Sequence, residues 1–481
     1  MIPITAFAPD GDPTSEGIIM DADNIIPTLK GAYKAAPSML TTGYAALAAE
    51  CLGVAQTQLL DATARLIAGT DTNLYEGSTL AWTDRSRAGN YTAGTKRWRF
   101  GVFGNITLAC NGIDILQASP STSTSFANVA GAPVCKVFDV AQGFVMMGAT
   151  NEGTYGDQSD RWWCSAIYDH TSWTPSLATQ ATTGRLVDAS GPIRAMKALG
   201  SNFVAYKDRA LFIGQYIGAP LVWQWTQIPS EVGCSSHEAV ANVSGIGHIF
   251  IGQDNIYLYN GSGLPNPIGD GIKDWFFMDM NVSFKNNIRS SVDKVRSNVW
   301  FFYPRNDSTS LPTGAIIYNY KANKWGVWRG IVQAAVEYLT GATTIDAATG
   351  TYDAQTLSFN DPKWTNTSPF PAVMNNANTL VTLTGAAGTS NITFGDVGSD
   401  SMYSTLARVR VRFISSPTSA SITNRFKQNV GDSLTTGQVA TMVDGKFDML
   451  KSARFHRVTL QTVGDCEFSA IDYQLGQDGL R

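Results

Sequence analysis

Hydrophobic and polar residues alternate in short runs along most of this chain, and Gly, Asn and Asp turns separate the runs. From Asp61 the texture is that of strands. The segment TARLIAGTDTNLYEGSTLAWTD alternates around residues 65–67 and 73–75, on either side of a GTD turn. The next run, RWRFGVFGNITLACNGIDILQAS, predicts two more strands around a tight CNG turn. Between Cys135 and Trp328 a strand–turn–strand phrase with a terminal Trp recurs. Trp173, Trp225, Trp275 and Trp325 stand 52, 50 and 50 residues apart. A period near fifty carried by aromatic strand-forming runs is the mark of propeller blades, which bury both faces only by packing on neighbours. Units fall near 65–82, 98–118, 135–175, 199–226, 247–276 and 295–328. The expected fold is therefore all-β: a β-propeller of about six irregular blades, with an accessory β region from the C-terminal part. The four tryptophans are expected at equivalent, buried blade positions.

The ends of the chain read differently. Residues 1–60 predict an extended arm, punctuated by Pro and Gly, with a short helix or a strand in the Ala- and Leu-rich stretch 44–60. The blades occupy 61–334. Residues 335–400, rich in Thr, Asn, Ala and Gly, read as a polar insertion or a small β unit serving as a tip or docking loops. Clear strands return in 401–481 as a separate β region, a docking platform or strands that close the ring. Within it Arg408, Arg410 and Arg412 alternate with Ala407, Val409, Val411 and Phe413, so the three guanidinium groups share one strand face. That face is either a solvated surface, an intersubunit salt-bridge strip or a contact for phosphates.

Composition narrows the function. Charged residues make up 15% of the chain, below the usual ~25%, and 45 residues are Gly. Such a balance suits short strands and tight turns, and also a surface covered by neighbouring subunits. A net charge of −4 argues against a general nucleic-acid binder. The six cysteines are scattered without CxxC spacing and read as reduced, buried thiols. The N-terminal sequence has no secretion-signal pattern, and no apolar run is long enough to span a membrane.

Candidate chemistry is sparse. The four histidines, His170, His237, His248 and His456, lack HExxH or HxH spacing, and His237-Glu238 reads as part of a Ser-rich surface loop. No GxSxG elbow occurs. Residues 89–96, GNYTAGTK, have the glycine spacing of a phosphate loop but precede a strand rather than a helix, so no phosphate cradle is expected. Asp157, Asp160, Asp169 and Asp188 could supply a glycosidase carboxylate pair, but DHTSW at 169–173 lacks the pattern of an Asp-box. The remaining cluster is basic: Arg85, Arg87, Lys96, Arg97 and Arg99 crowd one segment. No catalytic, metal or cofactor site is expected.

The order of several phrases carries a resemblance. LIAGTDTNLYEGSTLAWTDRS, RWRFGVFGNITLACNGIDILQ, CSAIYDHTSWTPS, FIGQYIGAPLVWQW, GQDNIYLYNGSGLPNPIGDGIKDWFF and AIIYNYKANKWGVW follow one another as in the tail hub or nozzle proteins of short-tailed bacteriophages, which include packaged-DNA stabilisation proteins. The chain resembles that family at both ends too, and least over 335–400. The resemblance implies a non-enzymatic virion protein: a homo-hexamer beneath the portal and its adaptor ring, assembled in the host cytoplasm and located in the tail. Its ring would continue the channel for double-stranded DNA without sequence-specific binding and help retain the packaged genome. Fibres or tailspikes and a plug or needle protein would attach to it. The alternatives are a propeller-based glycosidase or depolymerase, and a receptor-binding module of a phage tail.

Overall fold

The computed structural model describes residues 1–308, 310–339 and 369–479. Strands dominate. The described helical elements are one helix, Lys273–Asp279, and two short 3-10 turns. No helix among the described residues is long and apolar enough to cross a membrane.

Four-stranded antiparallel blades repeat around a ring. The strands nearest the axis are Gly53–Gln58, Arg99–Phe103, Val134–Ala141, Ala195–Leu199, Val240–Val243, Arg289–Asp293 and Ala334–Tyr338, in blades 1 to 7. Each lies beside the inner strands of the blades before and after it, and the seventh returns to the first. Seven apolar clusters occupy the seven joints between blades. Trp98 and Ala109 meet Ile67 between blades 1 and 2, for example, and Met374 and Ala372 meet Leu66 and Ala68 between blades 7 and 1. The ring stands because neighbouring blades cover faces that neither could bury alone.

The six units read from the sequence fall in blades 1 to 6. The seventh blade is assembled from segments assigned elsewhere. Ala334–Tyr338, Phe370–Met374 and Leu380–Gly385 come, but for Ala334, from 335–400, the stretch expected as a polar insertion or a small β unit. The outer strand is Ser38–Thr41 of the N-terminal arm, paired to Leu380–Gly385. The ring is thus closed by the arm and not by the C-terminal strands. Residues 340–368, part of the expected tip or docking loops, lie outside the described residues. The stretch 44–60 contains no helix: Gly53–Gln58 is the inner strand of blade 1, so the propeller begins before residue 61.

The C-terminal part forms a sandwich with the arm. One sheet has the order Ile19–Asp23, Thr389–Gly398, Phe455–Val463, Ser419–Lys427, Thr435–Thr441. The other continues outward from blade 6 through Ile25–Pro27 and Tyr33–Ala35 to Glu467–Gly479, Tyr403–Ser415 and Lys446–Ala453, making ten hydrogen-bonded strands with Ile2–Pro3. Alternation in Tyr403–Ser415 turns Leu406, Val409 and Val411 inward onto Ile422, Phe447, Leu460 and Ile471. Each such side chain taken from water contributes about 1.5–3 kcal/mol. Blade and sandwich meet closely at Gly326, where a Cβ would lie 2.5 Å from the Ile25 carbonyl oxygen. The junction is also pinned by charge: Arg329 pairs with Asp23 at 2.7 Å and with Asp279 at 3.2 Å.

The tryptophans are not equivalent. Trp225 and Trp325 lie on the outer strands of blades 4 and 6, Val222–Ile228 and Lys324–Arg329. Trp173 is buried in the loop before the outer strand of blade 3, its indole donating to the His170 carbonyl at 2.8 Å. Trp275 rides on the helix Lys273–Asp279, edge-on to Phe7 of the arm at 5.2 Å. Their near-regular spacing therefore does not mark one repeated position. Trp173 and Trp325 are buried, whereas Trp225 and Trp275 are half-buried.

Candidate functional site

Segments that cross from an outer strand to the next inner strand converge at one face of the ring. There they meet turns between second and third strands, around a cavity of about 760 Å³. The sequence supplies its chemistry at the entries to the inner strands: Lys96, Arg97 and Arg99 at blade 2, Lys136 at blade 3, Arg194 at blade 4, and Ser235, Ser236 and His237 at blade 5. Among the described residues no Asp or Glu lines it.

Arg99 and Glu238 form a strut across the axis. They belong to blades 2 and 5, which are not neighbours in the ring. Their charged groups approach to 2.8 Å, and Arg99 Nη2 donates to Glu238 Oε2 at 3.3 Å. Arg99 also donates to the Lys136 carbonyl of blade 3. Arg194 is neutralised by Asp208 through contacts of 2.9 and 3.2 Å. The carboxylates nearest the rim are engaged too: Asp71 accepts from the amides of Gly94 and Thr95, and Asp114 accepts from Arg87, Thr92 and Asn111. Lys96, Arg97 and Lys136 have no ion pair within 4.0 Å among the described residues.

Arg97 is only 6% exposed. Its Nη1 makes one long contact, 3.5 Å, with the Gln333 carbonyl, while its Nε has no partner. Burial pulls its pKa below the ordinary arginine value, against the attraction of Glu238 and Glu50. The hydroxyls of buried Ser235 and Ser236 likewise lack partners. His237 is buried, so the surface loop expected around His237-Glu238 is instead a short turn packed into the ring. Desolvation, followed by Lys197 and Arg99, holds its pKa well below that of a free imidazole, and its Nδ1 accepts from the Met196 amide at 3.4 Å. The basic run 85–99 was visible in the sequence. Its meeting with Lys136 and the Ser-Ser-His turn was not, because ring closure brings these residues together.

The glycine-spaced segment 89–96 holds no phosphate cradle of its own, since two of its amides are spent on Asp71 and a strand follows. Among the candidate carboxylates, Asp160 forms a paired contact with Arg185, and Asp169 caps Thr171. Burial pushes the Asp160 carboxyl up, but Arg185 outweighs it and the net shift is downward, opposite to what a general acid needs. Arg408, Arg410 and Arg412 share the outer face of the sandwich sheet. Arg408 pairs with Asp448, while Arg410 and Arg412 are exposed, Arg410 lying in register with Lys446 and Asp472. This strip is remote in sequence and sheet from the cavity residues, and the two form separate surfaces. Among the described residues no cluster of His, Cys, Asp and Glu could hold a metal ion. All six cysteines are buried and free.

No protein-family model and no curated protein matches the chain. Among solved structures it is similar to the β-propeller domain of Cps50 (Swd1) from Myceliophteria thermophila, at 9% identity and a TM-score of 0.40, covering 73% of this chain and 98% of that one. It is also similar to the computationally designed Ika8 protein, at 8% identity and a TM-score of 0.38 over 72% and 100% of the two chains. YCF48 from Cyanidioschyzon merolae matches at 10% identity and 0.34 over 61% and 88%. Strand pairing within this chain defines the propeller independently of these likenesses.

Proposed function

We propose that this chain is a structural subunit of a phage tail nozzle or hub ring, assembling as a homo-hexamer that extends the portal–adaptor channel and anchors fibres or tailspikes and a plug. The observation that supports this most is the continuous ten-stranded sheet from blade 6 through the arm into the sandwich. The step from blade 6 to the arm is the pairing of Val327 with Ile25, held further by the ion pairs of Arg329 with Asp23 and Asp279, and it joins propeller and sandwich as a ring segment under load requires. On the sandwich, Thr435–Thr441 at the edge of one sheet, the turn after it and Lys446–Ala453 at the edge of the other expose Val439, Val443 and Leu450, apolar surface suited to a neighbouring subunit.

In this reading DNA passes between subunits, along the axis of the hexamer. The hole of the individual propeller is crossed by the Arg99–Glu238 strut. A duplex whose major groove alone is about 12 Å wide cannot thread it. The acidic balance of the chain keeps phosphate contacts few, so the genome is retained by enclosure rather than by counterion release. Native mass spectrometry of the purified protein and peptide analysis of virions test the proposal. A ring-sized species and presence in tails are expected. A protein that stays monomeric with adaptor present and is missing from virions would overturn it, and release of reducing ends from host polysaccharide would favour a depolymerase.

A further inference from the structure

The cavity at the propeller axis has a chemical bias that a purely structural role does not require. Arg97 and Lys96 from blade 2 and Lys136 from blade 3 bring positive charge with no ion-pair partner among the described residues. Across the opening, blade 5 presents the unpartnered hydroxyls of Ser235 and Ser236. Arg97 is the decisive member. A guanidinium more than nine-tenths buried, with an unpartnered Nε and one 3.5 Å contact, is costly unless something completes its hydrogen bonds. Among nearby carboxylates, Glu238 is held by Arg99, Asp71 and Asp114 are held by the loop around them, and Glu50 attracts Arg97 without forming an ion pair with it.

We propose that this cavity binds a small oligophosphate, a free or metabolite-borne di- or triphosphate group, on the axis of each propeller. The lining is rich in donors: a guanidinium fork, two ammonium groups and two hydroxyls suit a ligand with many acceptor oxygens and several negative charges. Its volume, about 760 Å³, is in the range of small-molecule sites. Cations on blades 2 and 3 face hydroxyls on blade 5, so a chain of phosphates satisfies both sides better than one phosphate. The bound group would tie three blades together. The site lies within one subunit and does not depend on the tail reading, so assembly mass and ligand binding succeed or fail separately.

Calorimetric titration of the full chain with tripolyphosphate, at constant ionic strength set with NaCl, tests this. Inorganic phosphate and citrate serve as comparison ligands. One site per chain is expected, with a Kd below about 1 mM and weaker binding of both comparison ligands. Lys96→Gln with Lys136→Gln, both at exposed side chains, should weaken binding about tenfold or more, the scale of lost charge-assisted hydrogen bonds. Arg410→Gln on the sandwich should leave it unchanged. Arg97→Gln should abolish binding in a chain whose circular dichroism shows the fold intact. Absence of saturable binding overturns the proposal. So does binding that survives the double lysine change, or that falls equally with Arg410→Gln, since either would mark attraction to basic surface in general. Citrate binding as tightly as tripolyphosphate would overturn the phosphate assignment.

Discussion

Protonating His248 should loosen the joint between blades 4 and 5. This imidazole sits on the second strand of blade 5 and is fully buried. Its Nε2–H donates to the Ala198 carbonyl at 3.0 Å, so Nδ1 is the acceptor of the Tyr206 hydroxyl at 2.8 Å, and both partners belong to blade 4. Desolvation pulls the pKa from 6.5 to about 4, the Ala198 bond opposing and Lys197 reinforcing that shift. The unfolded chain therefore takes up the proton first. The contribution is full above the unfolded value and is lost as pH falls from 6.5 toward about 4. Between pH 7 and pH 5 the loss comes to about 2 kcal/mol for this one group. Urea unfolding at the two pH values measures the total, and the difference between wild type and His248→Gln isolates the share of His248. Because the chain has only four histidines, selective ¹³C labelling of the imidazoles yields a spectrum in which each can be titrated. A His248 signal titrating at 6.5 or above, or a pH dependence unchanged in His248→Gln, would refute the reasoning.

Other expectations concern the arm and the buried ion pairs. Tyr33→Phe removes the hydroxyl that accepts the buried Phe7 amide at 2.8 Å and should cost about 1–3 kcal/mol in urea unfolding, with Tyr33→Ala nearer 3–5 kcal/mol; a neutral Tyr33→Phe would mean that amide finds another acceptor. Glu76→Ala strands Arg65, whose side chain is fully buried 2.7 Å from that carboxylate, and should cost about 3–5 kcal/mol, whereas replacing both residues by apolar ones should recover much of the loss. Gly326→Ala should lower the melting temperature, because its Cβ would meet the Ile25 carbonyl oxygen at 2.5 Å; an unchanged melting curve would show that the arm can move aside there. Deleting residues 1–41 removes the outer strand of blade 7 and strands from both sandwich sheets, and should yield protein without near-ultraviolet dichroism or a cooperative transition. A truncated chain that unfolds cooperatively would show that the arm is dispensable.

Local pattern alone settled much of this molecule. Strand alternation, turn residues and the fifty-residue period belong to neighbouring positions, and they placed blades 1 to 6 and the all-β class. The face assignment of Tyr403–Ser415 was also legible, since a period of two sorts Arg410 from Val409 and Val411 whatever they pack against. What stayed hidden depends on pairing between distant segments. Ser38–Thr41 (SMLT) is four residues without a telling alternation until it pairs with Leu380–Gly385, more than three hundred residues later, so no local period announced blade 7. Trp173 and Trp275 kept the spacing of repeats while lying in a loop and a helix, because a count of residues carries no information about which strand holds them. The central cavity is the clearest case. Its basic segment 85–99 stood out by composition, but closing the ring set Arg99 against Glu238 of blade 5, left Arg97 buried without an ion pair and turned two serines toward it. Sequence determined which groups were available; the tertiary structure decided which charges were cancelled, because cancellation depends on distances of a few ångströms between residues that the chain keeps far apart.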